Sequence, residues 1–197
     1  LRGADLRGAN LHHANLRGAN LTGAKLHHVL RRGKHARAGN PSCGTKCAYA
    51  NLAYADLTGA IVRGGTFYHA NLSYAILTNA DFTGSDFTGG ANLTGVTAKG
   101  TTFAQAKMAT TILVGGSFVG ANFTKVGFSM ANLTSADMTN ANLSYADLSQ
   151  APTLALAILT GANLTGANLS GRTEQQCGDG LVTYGSCDVT DSSLGGT

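Results

Sequence analysis

The chain has 197 residues and a formal net charge of +4, and it is 43% hydrophobic with only 12% charged residues. Its 27 glycines, two prolines and lack of tryptophan suit tight repeated turns, and its abundant, periodic apolar residues exclude a disordered chain. No apolar run approaches the roughly 20 residues that span a bilayer, which sets aside an integral helical membrane protein.

In chain order, the first block sets large apolar residues five apart, at Leu1, Leu6, Leu11, Leu16, Leu21 and Leu26. The chain thus opens on a central repeat position with no Met and no Ala-Asx pair before it, and residues upstream are expected. Period five matches neither the 3.6 of a helix nor the 2 of a strand, so either element would scatter these residues over all faces. A chain that turns a corner every fifth residue keeps them all inside. The pattern is clearest from Ala131 to Leu148: Ala-Asn-Leu-Thr-Ser, Ala-Asp-Met-Thr-Asn, Ala-Asn-Leu-Ser-Tyr, Ala-Asp-Leu. Each unit is a small residue, Asn or Asp, a large apolar residue, then two mostly small or polar ones.

This A-(D/N)-L-X-X repeat resembles the pentapeptide repeat family. The resemblance implies an all-β fold, a right-handed quadrilateral β-helix in which four pentapeptides make one square coil. By that geometry the central residue and the small residue two before it point inward, and the other three point out. The resemblance identifies a fold and no single activity. The family's quinolone-resistance members are acidic rods that mimic DNA and bind gyrase, and a chain with pI near 9.0 has the wrong sign for that role.

From His27 to about Tyr49 the period fails, and HHVLRRGKHARAGNPSCGTKCAY carries Gly, Asn-Pro and charge in place of spaced Leu. That predicts a basic loop extruded from the solenoid at about 27–49. The period returns at Leu52, Leu57, Val62, Phe67, Leu72, Leu77, Phe82 and Phe87, slips by one residue near Gly89 and Gly90, and runs from Leu93 to Leu148. A second one-residue slip near Gln150, Ala151 and Pro152 precedes Leu154, Leu159, Leu164 and Leu169. Read as corner bulges that add no side, the slips align Leu52, Leu72, Leu93, Leu113, Leu133 and Leu154 on one face. Val62, Phe82, Phe103, Phe123, Leu143 and Leu164 share a second, and Phe67, Phe87, Met108, Phe128, Leu148 and Leu169 a third. The small position is mostly Ala, as at Ala55, Ala70, Ala121 and Ala162. Gly65, Ser85, Thr101, Thr111 and Val126 depart from it, which predicts looser turns in the middle blocks. From Gly171 the repeat ends, so residues 1–170 are expected to form the solenoid and 171–197 a disulfide-containing C-terminal cap and tail.

The cysteines fall as Cys43 with Cys47 and Cys177 with Cys187, one pair in each irregular segment, and spacing leaves all three connectivities open. Local pairing within each segment is the simplest. Staples placed there favour an oxidising compartment. The many Asn-x-Ser/Thr sequons, a by-product of the repeat, favour a thylakoid lumen or periplasm over a glycosylating route. Reduced cysteines would suit the cytoplasm.

Charge is unevenly spread. Residues 1–46 hold nine of the fourteen Lys and Arg (Arg2, Arg7, Arg17, Lys25, Arg31, Arg32, Lys34, Arg37 and Lys46) against one acid, Asp5. That end carries +8 and the remainder −4, from five basic and nine acidic residues. The basic end predicts docking to a protein or larger complex with an acidic surface, as an accessory subunit. Anionic headgroups at a membrane periphery are a second taker of the same charge. Nucleic acid is disfavoured, because the patch lacks interleaved aromatics and any binding motif. The alternative is a free-standing structural or stress-protective solenoid. The pairs His12-His13 and His27-His28 lie at outward positions on different faces, which argues against a metal site. No catalytic set, cofactor site or metal box is visible. Asp56, Asp81, Asp86, Asp137 and Asp147 occupy the repeat's Asx position, where turn hydrogen bonding is their expected role.

Overall fold

The computed structural model describes residues 1–6, 11, 14–22, 24, 46–149 and 153–170. Most of the predicted loop, and the whole predicted cap at 171–197, lie outside the described residues.

The five-residue units share a set of backbone bonds, to which Asn or Asp in the second place adds one from its side chain. The central N–H donates to the carbonyl of the Asx residue one coil on, as from Leu52 to Asn71 at 2.6 Å, and Asn71 in turn donates to Ala50 at 2.9 Å. The corner is a β-turn closed by Ala55 N–H on the Leu52 carbonyl at 3.0 Å, with Tyr54 at φ 60° as its third residue. A left-handed residue there is the mark of a type II turn. Finally, the Asx side-chain oxygen accepts the N–H two residues on, as in Asn132 from Thr134 and Asp137 from Thr139, both at 3.0 Å. The Thr hydroxyls donate to the same oxygens at 2.7 and 2.6 Å. Asn and Asp therefore serve equally, and Ser or Thr is favoured after the central residue. Asp56, Asp81, Asp86, Asp137 and Asp147 all accept in this way, as their position predicts.

Parallel bridges give the register. Equivalent residues are 20 apart in Ile112↔Asn132, so four units make one coil, and 21 apart across Asn71↔Asn92 and Asn132↔Thr153. Each slip thus adds one residue and no side. Across Asn15↔Asn51 the separation is 36, so that coil carries 16 residues beyond the usual 20. Four inward rows result. The first side holds Leu57, Leu77, Ala98, Phe118, Met138 and Leu159, and the second Val62, Phe82, Phe103, Phe123, Leu143 and Leu164. The third runs Leu11, Cys47, Phe67, Phe87, Met108, Phe128, Leu148 and Leu169, and the fourth is leucine throughout, from Leu16 and Leu52 to Leu154. At about 4.8 Å per coil, the seven rungs of the leucine side from Asn15 to Thr153 span about 30 Å.

Two expectations are corrected at one residue. Lys46 already bridges Thr66, so the coil resumes there and the basic excursion ends before Lys46 instead of at about 49. Cys47 then takes a central position, buried as a free thiol between Leu11 and Phe67 in the third row. It lies in the coil and not in an irregular segment, and the pairing expected with Cys43 falls outside the described residues. A thiol packs as a small apolar group, so Cys can fill a place the repeat normally gives to Leu. Desolvation pushes its pKa up to about 12. Cys43, Cys177 and Cys187 lie outside the described residues.

Phenylalanines fill the widest part of the interior. Phe82, Phe103 and Phe123 stack along the second side at 5.5 and 5.1 Å, and Phe67 stacks on Phe87 at 4.8 Å along the third. Across the corner the rings meet edge to face, Phe67 with Phe82 at 5.5 Å and Phe87 with Phe103 at 5.9 Å. Such pairs add about 0.5–1.5 kcal/mol beyond burial.

Turns are longer at some, not all, of the positions where Ala is missing. The closing bond is 2.8–3.0 Å at Ala positions such as Ala131 and Ala136, but 3.4 Å at Val96, 3.3 Å at Thr101 and 3.2 Å at Thr111. Gly65 and Ser85 keep 3.0 Å. The buried hydroxyls tie back to the preceding coil, Ser85 to Val62 at 2.9 Å, Thr101 to Leu77 at 2.6 Å and Thr111 to Phe87 at 3.0 Å.

Thr111 also repairs the first slip. Gly89 and Gly90 both adopt left-handed φ, 73° and 81°, and the Phe87 carbonyl loses the turn N–H its counterparts keep. The Thr111 hydroxyl replaces that donor, while Thr110 accepts from Gly90 N–H at 3.2 Å. The Leu77 carbonyl, by contrast, still receives Ala80 N–H at 2.9 Å. Thr111→Val should therefore cost about 1–3 kcal/mol, for a buried carbonyl left without a donor, and Thr101→Val about 1 kcal/mol. Urea unfolding of the two variants checks the ranking, and equal losses would contradict it.

Candidate functional site

Since the interior is filled, chemistry must lie on the outer rows. Three sides carry carboxylates at the Asx position: Asp56 and Asp137 on the first, Asp81 on the second, Asp86 and Asp147 on the third. The leucine side reads Asn15, Asn51, Asn71, Asn92, Ile112, Asn132, Thr153, and among the described residues it has no carboxylate. Its Asn oxygens are committed to turns, accepting from Arg17 at 3.3 Å, Ala53 at 3.2 Å, Ser73 at 3.0 Å and Thr94 at 2.9 Å. What faces outward is the amide N–H. Asn71 donates to Asn51 at 3.5 Å, and the amides of Asn15, Asn51 and Asn92 have no acceptor among the described residues. The face is biased towards donors.

Both corners flanking this side carry aromatic ridges at the N-terminal end. On one, Arg17 lies 5.0 Å over the Tyr54 ring, Tyr54 stacks on Tyr74 at 5.2 Å, and Tyr74 rests against Gly95. Gly95 has φ 63°, and a Cβ there would come within 2.5 Å of the ring. On the other, Tyr49 stacks on His69 at 5.1 Å, and Tyr68 meets both edge-on and leans over Gly89. The four tyrosines remain 40–52% exposed.

The predicted basic patch is placed only in part. Arg2, Arg17 and Lys46 are exposed at this end, with Arg2 acting on Asp56 and Lys46 three residues ahead of Tyr49. Arg7, Lys25, Arg31, Arg32, Lys34 and Arg37 lie outside the described residues, as do His12, His13, His27 and His28. The basic segment itself carries no aromatic residue, but the coil brings Tyr54 up against Arg17. The signal was present in the twenty-residue spacing of Tyr54 and Tyr74 and of Tyr49 and His69, all at the left-handed turn position.

The Asx acids are structural. Hydrogen bonds from the Thr58 hydroxyl and N–H hold Asp56 below the usual carboxylate range, with help from Thr22 at 2.9 Å and the charge of Arg2. Those from Ser149 do the same for Asp147. Burial pushes Asp81 up, but bonds from Thr83 and Arg63 outweigh it and the net shift is down. A depressed folded pKa contributes stability that is complete above the unfolded value near 3.9 and is lost as pH falls through the folded value. Acid unfolding should therefore begin below about pH 4, and Asp56→Asn/Asp81→Asn/Asp147→Asn should flatten that limb. Circular dichroism across pH checks it, and superimposable acid limbs would contradict it.

The family profile described as Pentapeptide repeats matches the chain in eight copies, over residues 1–29, 50–89, 90–124, 110–140, 117–151 and 153–171. Among solved structures, HetL, a pentapeptide repeat protein involved in heterocyst differentiation regulation from the cyanobacterium Nostoc sp. strain PCC 7120, is 26% identical. That match covers 87% of this chain and 81% of HetL at a TM-score of 0.34. QnrB1, a plasmid-mediated fluoroquinolone resistance protein, is 16% identical over 87% of this chain and 80% of its own, at a TM-score of 0.45. A pentapeptide repeat protein from the Arabidopsis thaliana thylakoid lumen is 23% identical over 71% and 68%, at a TM-score of 0.27. No curated protein matches the chain. These likenesses concern repeat architecture and carry no activity with them. Among the described residues no helix is long and apolar enough to cross a membrane.

Proposed function

The chain belongs to the pentapeptide repeat family, and on that premise we propose that it is a non-catalytic interaction module. It is a right-handed quadrilateral β-helix that docks, through its basic N-terminal end, onto a protein or larger complex with an acidic surface. The supporting observation is that Arg17, Lys46 and four exposed tyrosines crowd the end of the solenoid from which the basic segment departs, beside the side without carboxylates. Tyr and Arg are the residues that anchor protein interfaces. A net charge of +4 and a carboxylate-free side argue against DNA mimicry.

Raising salt from 0.1 to 1 M shortens the screening length from about 10 to 3 Å and should release the partner. The variant Arg31→Glu/Arg32→Glu/Lys34→Glu/Arg37→Glu should fail to capture it. Affinity capture from native extract, compared between wild type and variant at both salts, reads this out. Equal capture by the reversed variant would refute docking through the basic end, and a purely monomeric native protein would favour the free-standing solenoid.

A further inference from the structure

The leucine side at its N-terminal end is a channel. Its floor is the row Asn15, Asn51, Asn71 and Asn92, and its walls are the ridges Tyr54–Tyr74, topped by Arg17, and Tyr49–His69 with Tyr68. Three or so extended residues separate the corners, a width of about 10 Å, which admits one extended strand. We propose that this channel holds an extended acidic segment of the partner polypeptide, lying along the solenoid axis; the inference rests on the docking reading above and names the surface and its ligand.

Three observations select that occupant. The floor offers amide N–H groups whose oxygens are already engaged, so it recognises acceptors: carboxylates and peptide carbonyls. Among the described residues no carboxylate of the side opposes a negative ligand, and Arg17 supplies a cation at one end. Tyr54 and Tyr74 have their ring faces covered by Arg17, by one another and by the Gly95 backbone, which leaves their edges and hydroxyls to touch a ligand. Single-stranded nucleic acid, equally anionic, binds aromatic residues by stacking bases on open faces, and the Tyr54–Tyr74 ridge, sandwiched between Arg17 and Gly95, presents none.

The Asx row permits a substitution that leaves the fold alone, because Asp holds the same turn at Asp81 and Asp86. In Asn51→Asp/Asn92→Asp the donors become carboxylates, two coils apart so that they do not abut. The control, Asn122→Asp/Asn163→Asp, makes the same change on the second side, opposite the channel. A further variant, Asn92→Ile, removes donors without adding charge and is patterned on Ile112 in the same row.

The probe is a fluorescein-labelled peptide of alternating Glu and Ser, about eight residues long and so about 27 Å extended. Its binding is followed by anisotropy, beside a Lys-Ser peptide and an oligothymidylate of similar length, with melting curves showing that each variant is folded. Wild-type protein should bind the Glu-Ser peptide and neither comparator. The Asn51→Asp/Asn92→Asp variant should bind it at least about tenfold more weakly, Asn92→Ile should fall between, and the opposite-side control should match wild type. Undiminished binding by Asn51→Asp/Asn92→Asp, an equal loss in the control, or preference for the oligothymidylate would overturn the proposal. If the peptide does not bind while salt-sensitive partner capture persists, the channel fails and the docking reading stands. If capture is also indifferent to salt and to reversal of the basic segment, both fail.

Discussion

The bond from each central N–H to the carbonyl of the next coil's Asx residue, 2.6–2.9 Å almost throughout, is the constraint on which the rest of this protein depends. It admits one register, so like positions stand in vertical rows and every departure from period five must be absorbed at a corner. The one-residue slip at Gly89 and Gly90 shows how, with two left-handed glycines making the bulge and Thr110 and Thr111 of the next coil replacing the hydrogen bonds it breaks. The register also holds on either side of the 16 residues added before Lys46, since Leu16 still donates to Asn51 at 2.8 Å. Neighbour-only contact of this kind makes a solenoid a one-dimensional stack, in which a local insertion need not disturb coils further away.

The interior was legible in the sequence because each inward position has one neighbour above and one below, both fixed by arithmetic. The leucine row, the two phenylalanine-rich rows and the turn role of the acids could all be written down from the period. Cys47 was missed because its residue type reads as a staple, whereas its place in the count, five before Leu52, reads as core. The ridges were missed for a different reason. Tyr54, Tyr74, Tyr49 and His69 sit at a turn position with no strong residue preference, where thirteen of the described residues other than glycine adopt positive φ. Only the coil turns residues twenty apart into ring stacks. The donor bias of the asparagine row is likewise invisible in the letters, since it follows from which side-chain atom the turn consumes.

These features divide the molecule by role. The packed interior leaves no room for a ligand, and the Asx acids are spent on turns, so the variable outer rows carry whatever distinguishes this chain from a plain repeat. Its basic segment, four exposed tyrosines and the asparagine run of the leucine side from Asn15 to Asn92 all belong to the N-terminal half, and together they make a surface suited to an acidic polypeptide. The C-terminal coils lack that combination, although Tyr145 is 60% exposed there on a different corner.

Tyr145 provides an internal reference for the most direct test. The chain has six tyrosines, and ring-selective NMR of tyrosine-labelled protein resolves them individually while an acidic ligand is titrated in. The account predicts shifts at Tyr49, Tyr54, Tyr68 and Tyr74 with Tyr145 unmoved. Shifts shared evenly by all, or centred on Tyr145, would contradict it.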